Sequence, residues 1–127
     1  MDLLWTGLQI VIQPQVLLVI VMGVILGVIF GALPGVSATM SIVLCISFTY
    51  SMNPVVAISF LAAVYCASIT GGSITAILFK IPGTPSSAPT TLDGFPMVKR
   101  GEAGKALTLA LLASGLGGLI SALAMFL

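Results

Sequence analysis

Three short runs place Gly or Pro beside small hydroxyl residues. They are Gly31-Ala32-Leu33-Pro34-Gly35-Val36-Ser37, Gly71-Gly72-Ser73-Ile74-Thr75 and Ile81-Pro82-Gly83-Thr84-Pro85. Where such a run ends or interrupts a membrane helix, free N–H groups and the positive end of the dipole favour anions, while unwound carbonyls favour cations. Taken singly, each run also reads as a plain kink or turn. Three of them within about fifty residues favour a site for a substrate or a coupling ion. The residues expected to form it are Pro34, Gly35 and Ser37, then Gly71, Gly72, Ser73 and Thr75, and finally Pro82, Gly83 and Thr84.

Other chemistry is poorly supplied. There is no His, and Cys45 and Cys66 stand alone in apolar surroundings, which excludes a zinc or disulfide framework and favours buried, inert thiols. No carboxylate or Lys sits within an apolar stretch to activate a nucleophile, so no catalytic residue is assigned and the chain does not read as an enzyme. No cofactor is implied. Four basic residues make no phosphate-binding face, so nucleic acid is not a partner. Asp93 and Glu102 have solvated or capping roles as their default, and Lys80 is expected to snorkel to a membrane interface.

The elements that carry these runs belong in a bilayer. From Leu3 to Phe79 there is no Asp, Glu, Lys or Arg, and Ala106 to Leu127 is equally uncharged. A hydrocarbon core needs about 20 apolar residues per helical span, so the chain has room for several crossings. The fold class is all-α integral membrane: a polytopic helix bundle with discontinuous or re-entrant helices at the Pro-Gly and Gly-Gly breaks. The lipid bilayer is its first partner. Residues 1–127 read as one transmembrane region with a polar loop over about 82–105.

The N-terminus opens on acidic Asp2, unlike a cleaved signal peptide, and Trp5 and Gln9 suggest an interfacial lead-in. Pro14 suits a first helical turn, and a span follows from about Gln15 to Leu33. Gly23, Gly27 and Gly31 share one of its faces, which lets another backbone approach closely. Val36 to Tyr50 is short for a crossing and reads as a half-helix, or as a tilted span extended by its neighbours, closed by Asn53-Pro54. Val55 to Lys80 is long enough, carries a small-residue face at Ser59, Ala63, Ala67 and Gly71, and is expected to be interrupted at Gly71-Gly72. The last span, Ala106 to Leu127, repeats the device with Ala110, Ser114, Gly118 and Ala122. Lys99, Arg100 and Lys105 beside membrane ends place the polar segment in the cytoplasm.

At these same motifs the chain resembles the large membrane subunit of the tripartite tricarboxylate transporters. The matching stretches are Gly31-Ala32-Leu33-Pro34-Gly35, Gly71-Gly72-Ser73-Ile74, Ala76-Ile77-Leu78, Ile81-Pro82-Gly83-Thr84-Pro85 and Leu92-Asp93-Gly94-Phe95-Pro96. They continue into Gly101-Glu102-Ala103-Gly104-Lys105-Ala106-Leu107. Departures are Lys80 where Asn is common, Ser37 for Gly, Thr70 for Tyr and Ser47 for Pro; Lys80 bears most on substrate identity. The resemblance implies a secondary transporter of the bacterial inner membrane, driven by a sodium or proton gradient. It would work with a small membrane subunit and a periplasmic solute-binding protein that delivers a tricarboxylate or related carboxylate. This chain would supply the start of the first of two related halves. The alternative is a non-transporting accessory subunit or an inactive truncated remnant.

Overall fold

A computed structural model describes the backbone over residues 2–126 and side-chain environments over 5–125. Among the described residues all regular structure is helical. Its order is α1 (Asp2–Val11), α2 (Pro14–Ala32), α3 (Ala38–Ile46) with a 3-10 extension (Ser47–Ser51), α4 (Pro54–Phe79), a 3-10 turn (Pro85–Ser87), α5 (Thr90–Lys99) and α6 (Ala103–Phe126). Three segments are long and apolar enough to cross a membrane: Pro14–Ala32, Pro54–Phe79 and Ala103–Met125. This is an all-α polytopic membrane fold.

Proline sets two of the starts. Pro14 and Pro54 each occupy the first turn of a helix, where a missing N–H breaks no hydrogen bond. α2 ends at Ala32, and Gly35 takes φ +94, a conformation glycine adopts without a Cβ penalty. Ser37 then caps α3, its Oγ accepting from the Met40 amide at 3.2 Å. With nine residues α3 alone reaches about 14 Å. But α2 and α4 run parallel, Gly23 facing Phe60 and Gly31 facing Ser68, so α3 with its 3-10 extension carries the chain back between their opposite ends.

The α2–α4 pair forms the spine of the fold. Gly23, Gly27 and Gly31 are all buried against α4. A Cβ at Gly23 would lie 2.9 Å from the Phe60 carbonyl oxygen, and one at Gly27 would lie 2.5 Å from that of Val64. At Gly31 it would run into the Ser68 backbone. α4 answers with Ala63 and Ala67, and with Gly71 against the Val28 carbonyl. Beside this seam, Cys45 of α3 packs with Phe60 and Val64, flanked by Val19, Leu26, Phe30 and Leu61.

Several expectations are corrected. α4 is continuous from Pro54 to Phe79, so the helix is not broken at Gly71-Gly72. Successive helical residues point about 100° apart. The pair therefore gives one glycine to each of two neighbours, Gly71 to α2 and Gly72 to the Thr84 loop. Cys45 is buried as expected, but Cys66 is exposed on the outer side of α4. The polar segment holds a ten-residue helix, α5, with Pro96 inside it. On α6, Ala110 and Ser114 line a groove shared with α4, and a Cβ at Gly118 would meet nothing within 4 Å among the described residues.

Close packing at the seam gives a direct expectation. Gly27→Leu must push α2 off α4, and overpacking of this kind costs roughly 1–3 kcal/mol. Its unfolding midpoint in mixed micelles, followed by circular dichroism, should fall below wild type. Gly115→Leu, at a position with open space around it, should not move. Equal midpoints for the two variants would show that the seam is not held by backbone approach.

Candidate functional site

The C-terminal end of α4 and the loop after it turn back onto the bundle. The Gly83 amide donates to the Gly72 carbonyl at 3.4 Å, and Thr75 Oγ1 donates to the same oxygen at 3.1 Å. Gly83 lies wedged between two helices: a Cβ there would meet the Gly31 carbonyl of α2 and sit 2.8 Å from Gly72 Cα. At Gly72 a Cβ would lie 2.7 Å from Thr84 Oγ1. Three chain segments thus approach backbone to backbone, with the Thr75 and Thr84 side chains packed into the contact.

That contact brings two of the three motif runs together. Gly35 and Ser37 from the first, and Pro82, Gly83, Thr84 and Pro85 from the third, line one cleft of about 310 Å³. Gly72 and Thr75 form the structure beneath it through Gly83 and Thr84. Small-molecule sites start near this size. Gly71 is turned away toward α2, and Pro34 is exposed at the turn without lining the cleft. Ser73 is set apart as well. It lies in a groove with Thr70, Ile74, Leu107 and Ser114, between α4 and α6, and its Oγ donates back to the Ile69 carbonyl at 3.3 Å.

The cleft offers donors rather than charges. The N-terminus of α3 opens onto it through Ser37, and first-turn amides lack intrahelical partners. Ser37 Oγ accepts from Met40, which leaves its own proton to give. Thr84 is only 3% exposed, and its Oγ1 pairs with Ser86 Oγ at 3.1 Å, so one hydroxyl of that pair keeps a free proton. The Thr84 amide donates to Ser87 Oγ at 3.3 Å, and that hydroxyl donates to the Thr84 carbonyl at 2.7 Å, which fixes the rim. Ser86 and Ser87 were not singled out in the sequence. The signal for them was Thr84-x-x-Ser87, a hydroxyl pair at capping spacing behind Pro85. Hydrogen-bond donors at a helix N-terminus suit a carboxylate.

Residues 17–127 match the Tripartite tricarboxylate transporter TctA family. The chain belongs to that family. The TctA family is one of transporters and not of enzymes. Among relatives, a protein of Agrobacterium vitis described as "Uncharacterized 52.8 kDa protein in TAR-I ttuC' 3'region" is 42% identical over 87 residues. Those residues are 68% of this chain and 17% of that protein, so the chain spans less than a fifth of this relative's length. No solved structure matches the chain. The TctA-family match takes in both runs that build the cleft, the polar segment and α6.

Lys80, the departure expected to bear most on substrate, lies outside the cleft. It ends α4 in the left-handed region, at φ 59, the one non-glycine residue with positive φ among those described. Asn adopts that conformation more readily than Lys. In neutral detergent Lys80→Asn and Lys80→Gly should each stabilise the chain by about 1 kcal/mol. A mixed-micelle denaturation series measures this. Unfolding midpoints at or below wild type for both variants would show that the left-handed turn is not strained.

Proposed function

We propose that this chain is part of the permease component of a binding-protein-dependent secondary transporter of the bacterial inner membrane. It takes up a tricarboxylate or related carboxylate and is driven by a sodium or proton gradient. The observation that carries the reading is the TctA-family match over residues 17–127. The cleft lends it chemistry: Ser37, Thr84 and the α3 N-terminus present donors to an anion, while the Gly35 and Pro82-Gly83 turns let backbone come close. Partners on this reading are a small membrane subunit and a periplasmic solute-binding protein.

Substitutions in the cleft test the site. A hydrogen bond to a charged group contributes roughly 1.5–3 kcal/mol. Thr84→Val and Ser37→Ala should therefore weaken apparent substrate affinity about ten-fold to a hundred-fold in the assembled transporter. Ser37→Thr, which keeps both cap and hydroxyl, should restore most of it. Ser73→Ala is the comparison, since its hydroxyl is satisfied within α4 and faces α6. Uptake and membrane abundance are measured together. Unchanged affinity for Thr84→Val and Ser37→Ala at normal abundance would remove the cleft from the transport path.

Orientation follows from charge. Lys99, Arg100 and Lys105 lie beside the ends of membrane helices, which puts the segment from Ser86 to Lys105 on the cytoplasmic side. Ala88→Cys, in a chain whose Cys45 and Cys66 are replaced by Ala, should resist an impermeant thiol reagent in intact cells. It should react once the membrane is opened. Labelling from outside would reverse the topology.

A further inference from the structure

The cleft uses none of the basic side chains, yet two of them converge elsewhere. Lys80 Nζ lies 5.8 Å and Lys99 Nζ 5.2 Å from the centroid of one ring, that of Phe95. With Thr91, Leu92 and Pro96 these residues line a cavity of about 350 Å³ between the end of α4 and α5. Among the described residues neither lysine has an ion-pair partner. Among the described residues the one ion pair joins Lys105 to Glu102, and Asp93 lines a different groove, shared with Ala106 and Leu109 of α6. Two ammonium groups gathered at one pocket repel each other, and an exposed ring offsets only about 0.5–1 kcal/mol for each. An anion seated between them would turn that repulsion into attraction.

The level of the pocket narrows the choice of anion. Lys80 directly follows Phe79, the last residue of a 26-residue span, so its ammonium stands where hydrocarbon gives way to headgroups. Around it the chain's own surface is apolar and exposed: Phe79 is 67% exposed, Ile81 51% and Leu92 71%. A soluble anion gains nothing from that surface, whereas acyl chains do. Basic pockets at the membrane edge of transmembrane helices suit anionic lipid headgroups. We propose that the Lys80–Phe95–Lys99 pocket binds an anionic phospholipid, its phosphate between the two ammonium groups and its chains along Phe79, Ile81 and Leu92. The lysine at position 80 holds an unfavourable backbone conformation because its charge is needed there.

Native mass spectrometry of the chain in neutral detergent, with equal amounts of dioleoyl phosphatidylglycerol and dioleoyl phosphatidylcholine, tests this. Wild type should retain phosphatidylglycerol preferentially. Each lysine near the surface contributes about a five-fold factor to binding, so Lys80→Gln and Lys99→Gln should each reduce retention about five-fold. Lys80→Arg and Lys99→Arg should preserve it, which separates lost charge from lost fold. Lys105→Gln should leave it unchanged. Equal retention of both lipids by wild type, or retention indifferent to Lys80→Gln and Lys99→Gln, would overturn the proposal and leave the lysines merely stacked on Phe95. Displacement of the lipid by millimolar inorganic phosphate would also overturn it, by making the ligand a soluble anion.

Discussion

Everything in this fold depends on how closely α2 and α4 approach. Lipid tails are as apolar as leucine, so burying a leucine between two membrane helices gains little; contact area and fit decide. Gly23, Gly27 and Gly31 remove the side chains that would hold the two backbones apart, and Ala63, Ala67 and Gly71 match them from α4. Without that approach, Gly31 could not reach Gly83, and the loop after α4 would have no floor to rest on. The cleft is thus an indirect product of the glycine stripe from Gly23 to Gly31.

Hydroxyl groups show the second pressure at work. Along α4, Ser59, Ser68, Thr70, Ser73 and Thr75 all donate back to carbonyls one turn earlier, as Ser41 does on α3 and Thr108 on α6. In lipid no water stands ready to satisfy them, so a helical hydroxyl turns inward on its own backbone. Among the described residues no buried side-chain N or O atom lacks a partner. Hydroxyls free to serve a ligand are therefore found at helix ends, where Ser37 and the Thr84–Ser86 pair sit, rather than in helix interiors.

This explains which parts of the molecule were legible in its sequence. Proline at 14 and 54, the Pro34-Gly35 turn and the Gly23-Gly27-Gly31 face are local signals, and each produced the element expected of it. Gly71-Gly72 was misread because the same residue type serves two ends. It can release a helix, or it can let a neighbour come near, and only the neighbours decide. Here they are Val28 on one side and Thr84 on the other. Ser73 was grouped with Thr84 by proximity along the chain, but helical rotation carries it to the α6 side. Cys66, two turns before, lies exposed for the same reason: its environment depends on which sector of α4 is left without a partner.

The contact among Gly31, Gly72 and Gly83 also limits how the cleft can move. A pocket floored by side chains can enlarge by rotamer changes, each flipping independently on a fast timescale. This floor has little rotamer freedom, since the nearest side chain below it, Thr75, is tied to the Gly72 carbonyl. Its three members are main chain, two of them inside helices and the third tethered by its amide to Gly72. Change in cleft volume is then left to the rim, to the Ser37 and Thr84 side chains and the turn at Gly35, while Cys45 holds α3 in the core against Phe60 and Val64.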